Sequence, residues 1–325
     1  MTDKKRLLSG VKPTGRPHIG NYLGAMKQFV NLEDSHESFF MIANYHALTT
    51  LHNSDELKEN TIDVALDYLA IGLDPEKSVI FMQSQVPEHT ELAWIFNCIT
   101  TMPYLMRAHA FKDAEAKNKE VSVGTFDYPM LMATDILIYD PDIVPVGQDQ
   151  KQHVEFARDT ASKFNRIFGE TFKLPEVQIQ EEVAVVPGID GQKMSKSYNN
   201  TISLFASDDE LRSSVMNIVT DSKGEGESKD PETSNLFTLH KHFSGDKLQD
   251  LEKRYRDGSI GYKESKEILY EDIKSIVAPL RERRENLKND IGSVHSILKN
   301  GGEKAREYAS KKMDEVRKKV GVSLE

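Results

Sequence analysis

The chain has 325 residues and a mass of 36.8 kDa, enough for a full hydrophobic core and for one large domain with a smaller companion. Hydrophobic residues make up 38% and charged residues 29%, which excludes disordered and fibrous classes; with no apolar run long enough to span a bilayer and no signal peptide, the sequence predicts a cytoplasmic protein. A net charge of −10 argues against a protein that coats nucleic acid nonspecifically, because phosphate neutralisation needs clustered Lys and Arg.

In chain order, Arg6 to Val11 reads as a strand. His18-Ile19-Gly20-Asn21 then opens an amphipathic stretch, Asn21 to Leu32, with Leu23, Met26, Phe29 and Val30 on its apolar face, so this string belongs where a strand turns into a helix. Phe39 to Ala43 is a second strand. Asp55 to Ile71 is a helix with Ser54 as its expected cap ahead of Asp55 and Glu56, and Val79 to Met82 is a third strand. In the helical run Leu92-Ala93-Trp94-Ile95-Phe96, Cys98 is expected as a buried, inert thiol and Trp94 as a core or interface residue. Further strands are expected at Ile143 to Val146 and Val177 to Val186. This βαβ rhythm predicts an α/β, Rossmann-like parallel sheet with helices on both faces and ligands at its carboxyl edge.

Lys193-Met194-Ser195-Lys196-Ser197 reads as a mobile lysine-serine loop. After Tyr198 the character changes: Ser222 to Ser234 is rich in Gly, Ser, Glu and Lys, and from Lys247 onward the chain reads as helices with polar faces. Gly301-Gly302 is expected to break off a last helix, Glu303 to Val320, which either extends the helical region or packs back on the first. The expected organisation is a catalytic domain over 1–200, an all-helical domain over 201–296, and a C-terminal helix over 297–325. From Arg281 to Glu325 there are 12 Lys or Arg against 8 Asp or Glu; this basic stretch would tolerate a local RNA contact, and a solvated helix pair accounts for it equally well.

The strings at His18 and Lys193 together suggest adenylyl transfer from ATP. A helix N-terminus with free amides and lysines from a distant loop would clamp the concentrated charge of a triphosphate. His18 to Asn21 resembles the HIGH signature of class I aminoacyl-tRNA synthetases, and Lys193 to Ser197 matches KMSKS letter for letter. A third block is similar to the bacterial tryptophanyl branch of that family: Tyr128-Pro129-Met130-Leu131-Met132-Ala133-Thr134-Asp135-Ile136-Leu137, with Asp142 to His153. Ser9 to Gly15 and Gly20 to Ala25 fit the same branch.

The resemblance implies activation of tryptophan with ATP and Mg²⁺, transfer to tRNA(Trp), a homodimer with its interface within 80–130, and a helical domain that reads the anticodon. It assigns catalysis to His18, Asn21, Lys193 and Lys196. ATP contacts fall to Lys12, Pro13, Thr14, Gly20, Asn21, Gly147, Gln148, Asp149, Val186 and Lys193 through Ser197. Gly20 would let backbone approach the nucleotide; Lys12 and Gln148 stand where the family often has Gln and Glu. Tryptophan contacts fall to Asp135, Tyr128, Met132, Gln150 and His46. Asp135, on an apolar helical stretch, would be costly to bury unless paired with the indole N–H, and a site built to hydrogen-bond a substrate group can reject an analogue lacking it by ~10⁴ to 10⁵-fold. Plainer readings are a surface or ion-paired Asp135, Met132 as core filler, Tyr128 as a packing residue, His46 as a satisfied loop histidine, and Lys193 to Ser197 as a basic surface loop. No Cys, His and carboxylate cluster has zinc spacing, so no protein-bound metal is expected. Competing functions are a tyrosyl-tRNA synthetase, a non-catalytic synthetase-like RNA-binding regulator, and a small-molecule adenylyltransferase.

Overall fold

The computed structural model describes residues 4–108, 111–112, 115, 120–146, 151–179 and 186–324. Five parallel strands, β1 (Arg6–Val11), β2 (Glu37–Ile42), β3 (Ser78–Met82), β4 (Ile143–Val146) and β5 (Glu176–Ile179), pair in the order β3-β2-β1-β4-β5. β2 is buried almost throughout, as a parallel strand covered on both faces must be, which is why it reads as one continuous apolar run. The order reverses between β1 and β4, and in an open α/β sheet that switch point marks the crevice where ligands bind. The fold is therefore the expected Rossmann-like α/β arrangement. Of the predicted fifth strand, residues 180–185 lie outside the described residues.

The first helical segment begins earlier than its periodicity suggests. α1 (Ile19–Asn21) leads through a π-helical turn at Tyr22–Met26 into α2 (Lys27–Glu33). After β2 comes the short α3 (Asn44–Ala47), then α4 (Ser54–Ala70). Its cap is Asn53 and not Ser54: Asn53 Oδ1 accepts the amides of Asp55 and Glu56 at 3.0 and 3.1 Å, the usual way of satisfying first-turn donors.

α5 (Glu88–Ile99), α6 (Met102–Leu105), α7 (Val123–Leu137) and α8 (Lys151–Phe168) follow. From Leu92 to Phe96 α5 is continuously apolar, so over that turn only packing selects the buried face. Leu92 and Phe96 turn inward, and Phe96 meets Phe164 and Phe172 edge-on. Trp94 and Cys98, one turn apart, face outward, with Trp94 69% exposed. Cys98 is thus an exposed thiol, contrary to expectation, and Trp94 is no core residue.

Beyond the lysine-serine loop come α9 (Asp208–Met216), α10 (Asn235–Phe243), α11 (Leu248–Asp257), α12 (Tyr262–Asn289) and α13 (Ile291–Val320). α13 runs unbroken through Gly301 and Gly302, both buried. A Cβ at Gly301 would lie 1.9 Å from the Ile80 carbonyl oxygen, and one at Gly302 2.7 Å from the Gln85 side chain. The pair is a close-approach surface against β3, not a helix break. Arg317 grips Glu91 through two hydrogen bonds of 2.8 and 2.6 Å, and Tyr308 donates to Glu37, so this helix lies against the sheet-bearing part of the chain. Gly301→Ala is expected to cost about 1–3 kcal/mol of overpacking, read as a lower urea midpoint; an unchanged midpoint would mean that the helix yields without strain.

Two compact units divide the chain. One comprises Met1–Gly15, Gln28–Glu181 and Leu287–Glu325, the other Arg16–Lys27 and Glu182–Asn286. The boundary differs from the expected one at residue 200, because the turn at His18 and the lysine-serine loop belong with the helices α9 to α12. No helix among the described residues is long and apolar enough to cross a membrane.

Candidate active site

In the first unit, polar side chains gather at the carboxyl ends of the central strands. Lys12 follows β1 and donates from Nζ to the hydroxyls of Thr49 and Thr50 at 3.1 and 3.2 Å; burial lowers its pKa. Pro13 beside it is buried and Thr14 exposed. His46 stands on α3, beyond β2.

Tyr128, Met132 and Asp135 share one face of α7, at spacings of four and three residues. Tyr128 and Met132 are half-buried, whereas Asp135 is 2% exposed. The Tyr128 ring lies edge-on to His46, centroids 6.1 Å apart, and its hydroxyl is 3.1 Å from His153 Nε2. Burial pushes the phenol up to about 12, so it stays protonated at neutral pH. The tryptophan residues expected from sequence are therefore brought together, except Gln150, which lies outside the described residues with Gly147, Gln148 and Asp149.

Asp135 departs from expectation in one respect. It does not wait for an indole to be paired, because His46 Nε2 lies 2.7 Å from Oδ2, and His89 Nδ1 and Gln83 Nε2 lie 2.5 and 2.8 Å from Oδ1. Burial alone would raise this carboxyl; the hydrogen bonds from His46 and His89 outweigh it and hold the pKa at about 2. A carboxylate offers about four lone-pair positions. Three are occupied by described residues, which leaves one on Oδ2. His89 and Gln83 went unnoticed in the sequence. They lie in a mostly polar run, Gln83 to Glu91, where nothing marks them as buried, and nothing local paired them with a residue some fifty positions away.

In the second unit, the turn at His18 and the lysine-serine loop lie side by side. The Ile19 amide donates to Ile202 O at 2.9 Å, and His18 pairs with Ser203 in an antiparallel bridge. Asn21 Oδ1 accepts the His18 amide at 3.1 Å while His18 Nδ1 accepts the Asn21 amide at 3.2 Å. The His18 proton must then sit on Nε2, as a donor. A Cβ at Gly20 would meet His18 Nδ1 at 2.9 Å and Met194 Sδ at 3.5 Å, so glycine keeps this corner open while buried Met194 packs beneath it.

The loop itself is braced by Asn200, which is 1% exposed and was not anticipated. Its Oδ1 accepts the Ser195 amide at 2.8 Å, and its Nδ2 donates to Asp190 Oδ1 and Lys193 O at 2.7 and 3.1 Å. Val186 O accepts the Met194 amide at 3.0 Å, and Ser195 Oγ accepts the Ser197 amide. Lys193 and Lys196 are exposed on this fixed base. Among the described residues, no group of three or more His, Cys, Asp or Glu could hold a metal ion.

Burial, reinforced by the Lys196 charge, lowers the His18 pKa to about 4, so at neutral pH a neutral imidazole with an Nε2–H donor stands near an ammonium group. His240, fully buried in the same unit, is also lowered to about 4 by burial. A depressed folded-state value favours folding above the unfolded value of about 6.5, and that contribution is lost as pH falls through about 4. Amide exchange around α10 and α11 is therefore expected to speed up, relative to its intrinsic rate, between about pH 6.5 and 4. A flat profile over that range would exclude this linkage.

A family model for tRNA synthetases class I (W and Y) matches residues 1–278, and with this fold and these two clusters the chain belongs to that family. A tryptophan–tRNA ligase of Fusobacterium nucleatum is 50% identical over 320 residues, 98% of each chain. Its counterpart in Rhodopirellula baltica is 47% identical over 318 residues, covering 98% of this chain and 99% of its own. Among solved structures, tryptophanyl-tRNA synthetase from Campylobacter jejuni complexed with ADP and tryptophan aligns with a TM-score of 0.92 at 45% identity, over 97% of this chain and 99% of that one.

Proposed function

We propose that this chain is a tryptophan–tRNA ligase: it joins L-tryptophan to ATP as tryptophanyl-adenylate, releasing pyrophosphate, and passes the tryptophanyl group to the 2'-OH of the terminal adenosine of tRNA(Trp). The observation that carries this reading is the 50% identity to a tryptophan–tRNA ligase across 98% of both chains. The side chains around Asp135 support it, since a buried carboxylate with one open acceptor position suits a single N–H donor.

In the first step a tryptophan carboxylate oxygen attacks the α-phosphorus, and the bond to the bridging oxygen of pyrophosphate breaks. No covalent enzyme intermediate is needed. His18 Nε2–H and the Asn21 side-chain amide donate to phosphate oxygens, while Lys193 and Lys196 neutralise the charge that builds on the leaving pyrophosphate. Mg²⁺ arrives on the triphosphate. Lys12, Pro13, Thr14, Gly20, Val186 and the backbone of Met194 to Ser197 serve the nucleotide. In the amino-acid pocket Asp135 accepts the indole N–H, Met132 lines the ring, and Tyr128 and His46 lie beside it. Positioning supplies much of the acceleration.

The protein works as a homodimer, with the interface along α5 and α6. Trp94 on α5, Met102 on α6 and Val123 at the start of α7, at 69, 67 and 82% exposure, are the apolar side chains that a second copy would cover. α9 to α12 serve the tRNA anticodon. Pyrophosphate exchange with each amino acid in turn tests the assignment: exchange with tryptophan alone is expected, and strong exchange with tyrosine but not tryptophan would overturn it in favour of a tyrosine enzyme.

A further inference from the structure

Beneath Asp135 lies a chain of buried groups that touches neither the indole nor the nucleotide in the reading above. Gln83 stands just past β3 and His89 in the first turn of α5; both are fully buried, and Tyr139, just past α7, is 1% exposed. The Tyr45 amide donates to Gln83 Oε1 at 3.0 Å, so the amide's Nε2 is the atom that faces Asp135 Oδ1. His89 Nδ1 faces the same oxygen and must donate, because a carboxylate only accepts. On the far side of the ring, His89 Nε2 is 2.8 Å from the Tyr139 hydroxyl. A buried hydroxyl directs its proton at the acceptor it has, so Tyr139 donates to Nε2 and holds His89 in its Nδ1–H form. Stacking of Tyr139 on Phe39, centroids 5.2 Å apart, and its edge contact with Phe81 fix the phenol in turn.

The terminal torsion of an aspartate is broad and nearly two-fold, so a buried carboxylate with one partner could swing its open lone pair away from a ligand. Two donors on Oδ1 prevent that swing. We propose that His89, held by Tyr139, is a positioning residue for tryptophan selection: with Gln83 it fills both acceptor positions of Asp135 Oδ1 and aims the one open position, on Oδ2 beside His46, at the indole N–H. This rests on Asp135 being the indole acceptor.

Exchange kinetics on the full-length enzyme test it with His89→Leu, His89→Asn and Tyr139→Phe, and with Asp135→Asn as the reference arm. His89→Leu is expected to raise KM for tryptophan about tenfold and to lower the tryptophan-over-phenylalanine ratio of kcat/KM to a similar extent, the scale of one hydrogen bond to a charged group. KM for ATP stays within about twofold. His89→Asn, whose Nδ2 can stand in for Nδ1, recovers much of the loss. Tyr139→Phe keeps the ring and its packing, so it retains a folded readout if His89→Leu does not fold, and it shifts the same ratio by about threefold. A loss spread equally over tryptophan KM, ATP KM and kcat would mark a merely structural role and overturn the proposal. Unchanged selectivity in Tyr139→Phe and in the His89 variants, with selectivity lost in Asp135→Asn, overturns it alone. Unchanged selectivity in Asp135→Asn overturns the role of Asp135 and this proposal with it.

Discussion

Lys196→Ala is expected to slow adenylate formation by about 10²-fold or more in single-turnover experiments, with little change in tryptophan affinity. The side chain is exposed, and the loop beneath it is held by backbone and Asn200 contacts that do not involve the ammonium group. The loss should fall on the step in which negative charge grows on the leaving pyrophosphate, because an ammonium that follows this charge stabilises the transition state more than the bound ATP. Removing it also takes a positive charge from beside His18, whose pKa should rise. An unchanged rate constant would dismiss Lys196 from catalysis.

Asp135→Asn is expected to raise KM for tryptophan by about 10²-fold and to remove most of the preference over phenylalanine. A hydrogen bond to a charged group contributes about 1.5–3 kcal/mol, and the variant adds a conflict. With Oδ1 still accepting from His89 and Gln83, the new Nδ2 points its hydrogens at both His46 and the indole N–H. His46 can reverse its proton; the indole cannot. Asp135→Ala would be a poorer test, because three donors, two of them fully buried, would lose their acceptor together, and breaking such a network costs several kcal/mol of stability. A competition assay showing unchanged selectivity in a folded Asp135→Asn protein would remove Asp135 from recognition.

Much of the fold could be read from local pattern. Parallel strands covered on both faces are mostly apolar, so β1 to β4 announce themselves within a residue or two. The turn at His18 and the loop at Lys193 are short, contiguous strings, and the chemistry of a triphosphate needs what they contain. That the two strings meet was expected from their shared chemistry; the contacts that join them, the pairing of His18 with Ser203 and the packing of Met194 under Gly20, could not be read. Nor could the bracing of the loop by Asn200, an asparagine indistinguishable in sequence from the one before it.

Two expectations failed and a third gained unforeseen partners, for one shared reason. Gly301-Gly302 looks like a helix break because glycine has poor helix propensity, yet it permits the approach of α13 to β3, a partner more than two hundred residues away. Cys98 looks buried because the turn before it is apolar, yet a turn apolar on every side, Leu92 to Phe96, does not declare which face is covered. Asp135 looks like a charge awaiting a ligand, yet His46, His89 and Gln83 reach it from three other segments. Residue identity and spacing along the chain thus determined strand and helix type, the parallel sheet and the kind of chemistry. Which groups face one another was decided by folding, because burial and hydrogen bonding act through distances in space that sequence separation does not encode.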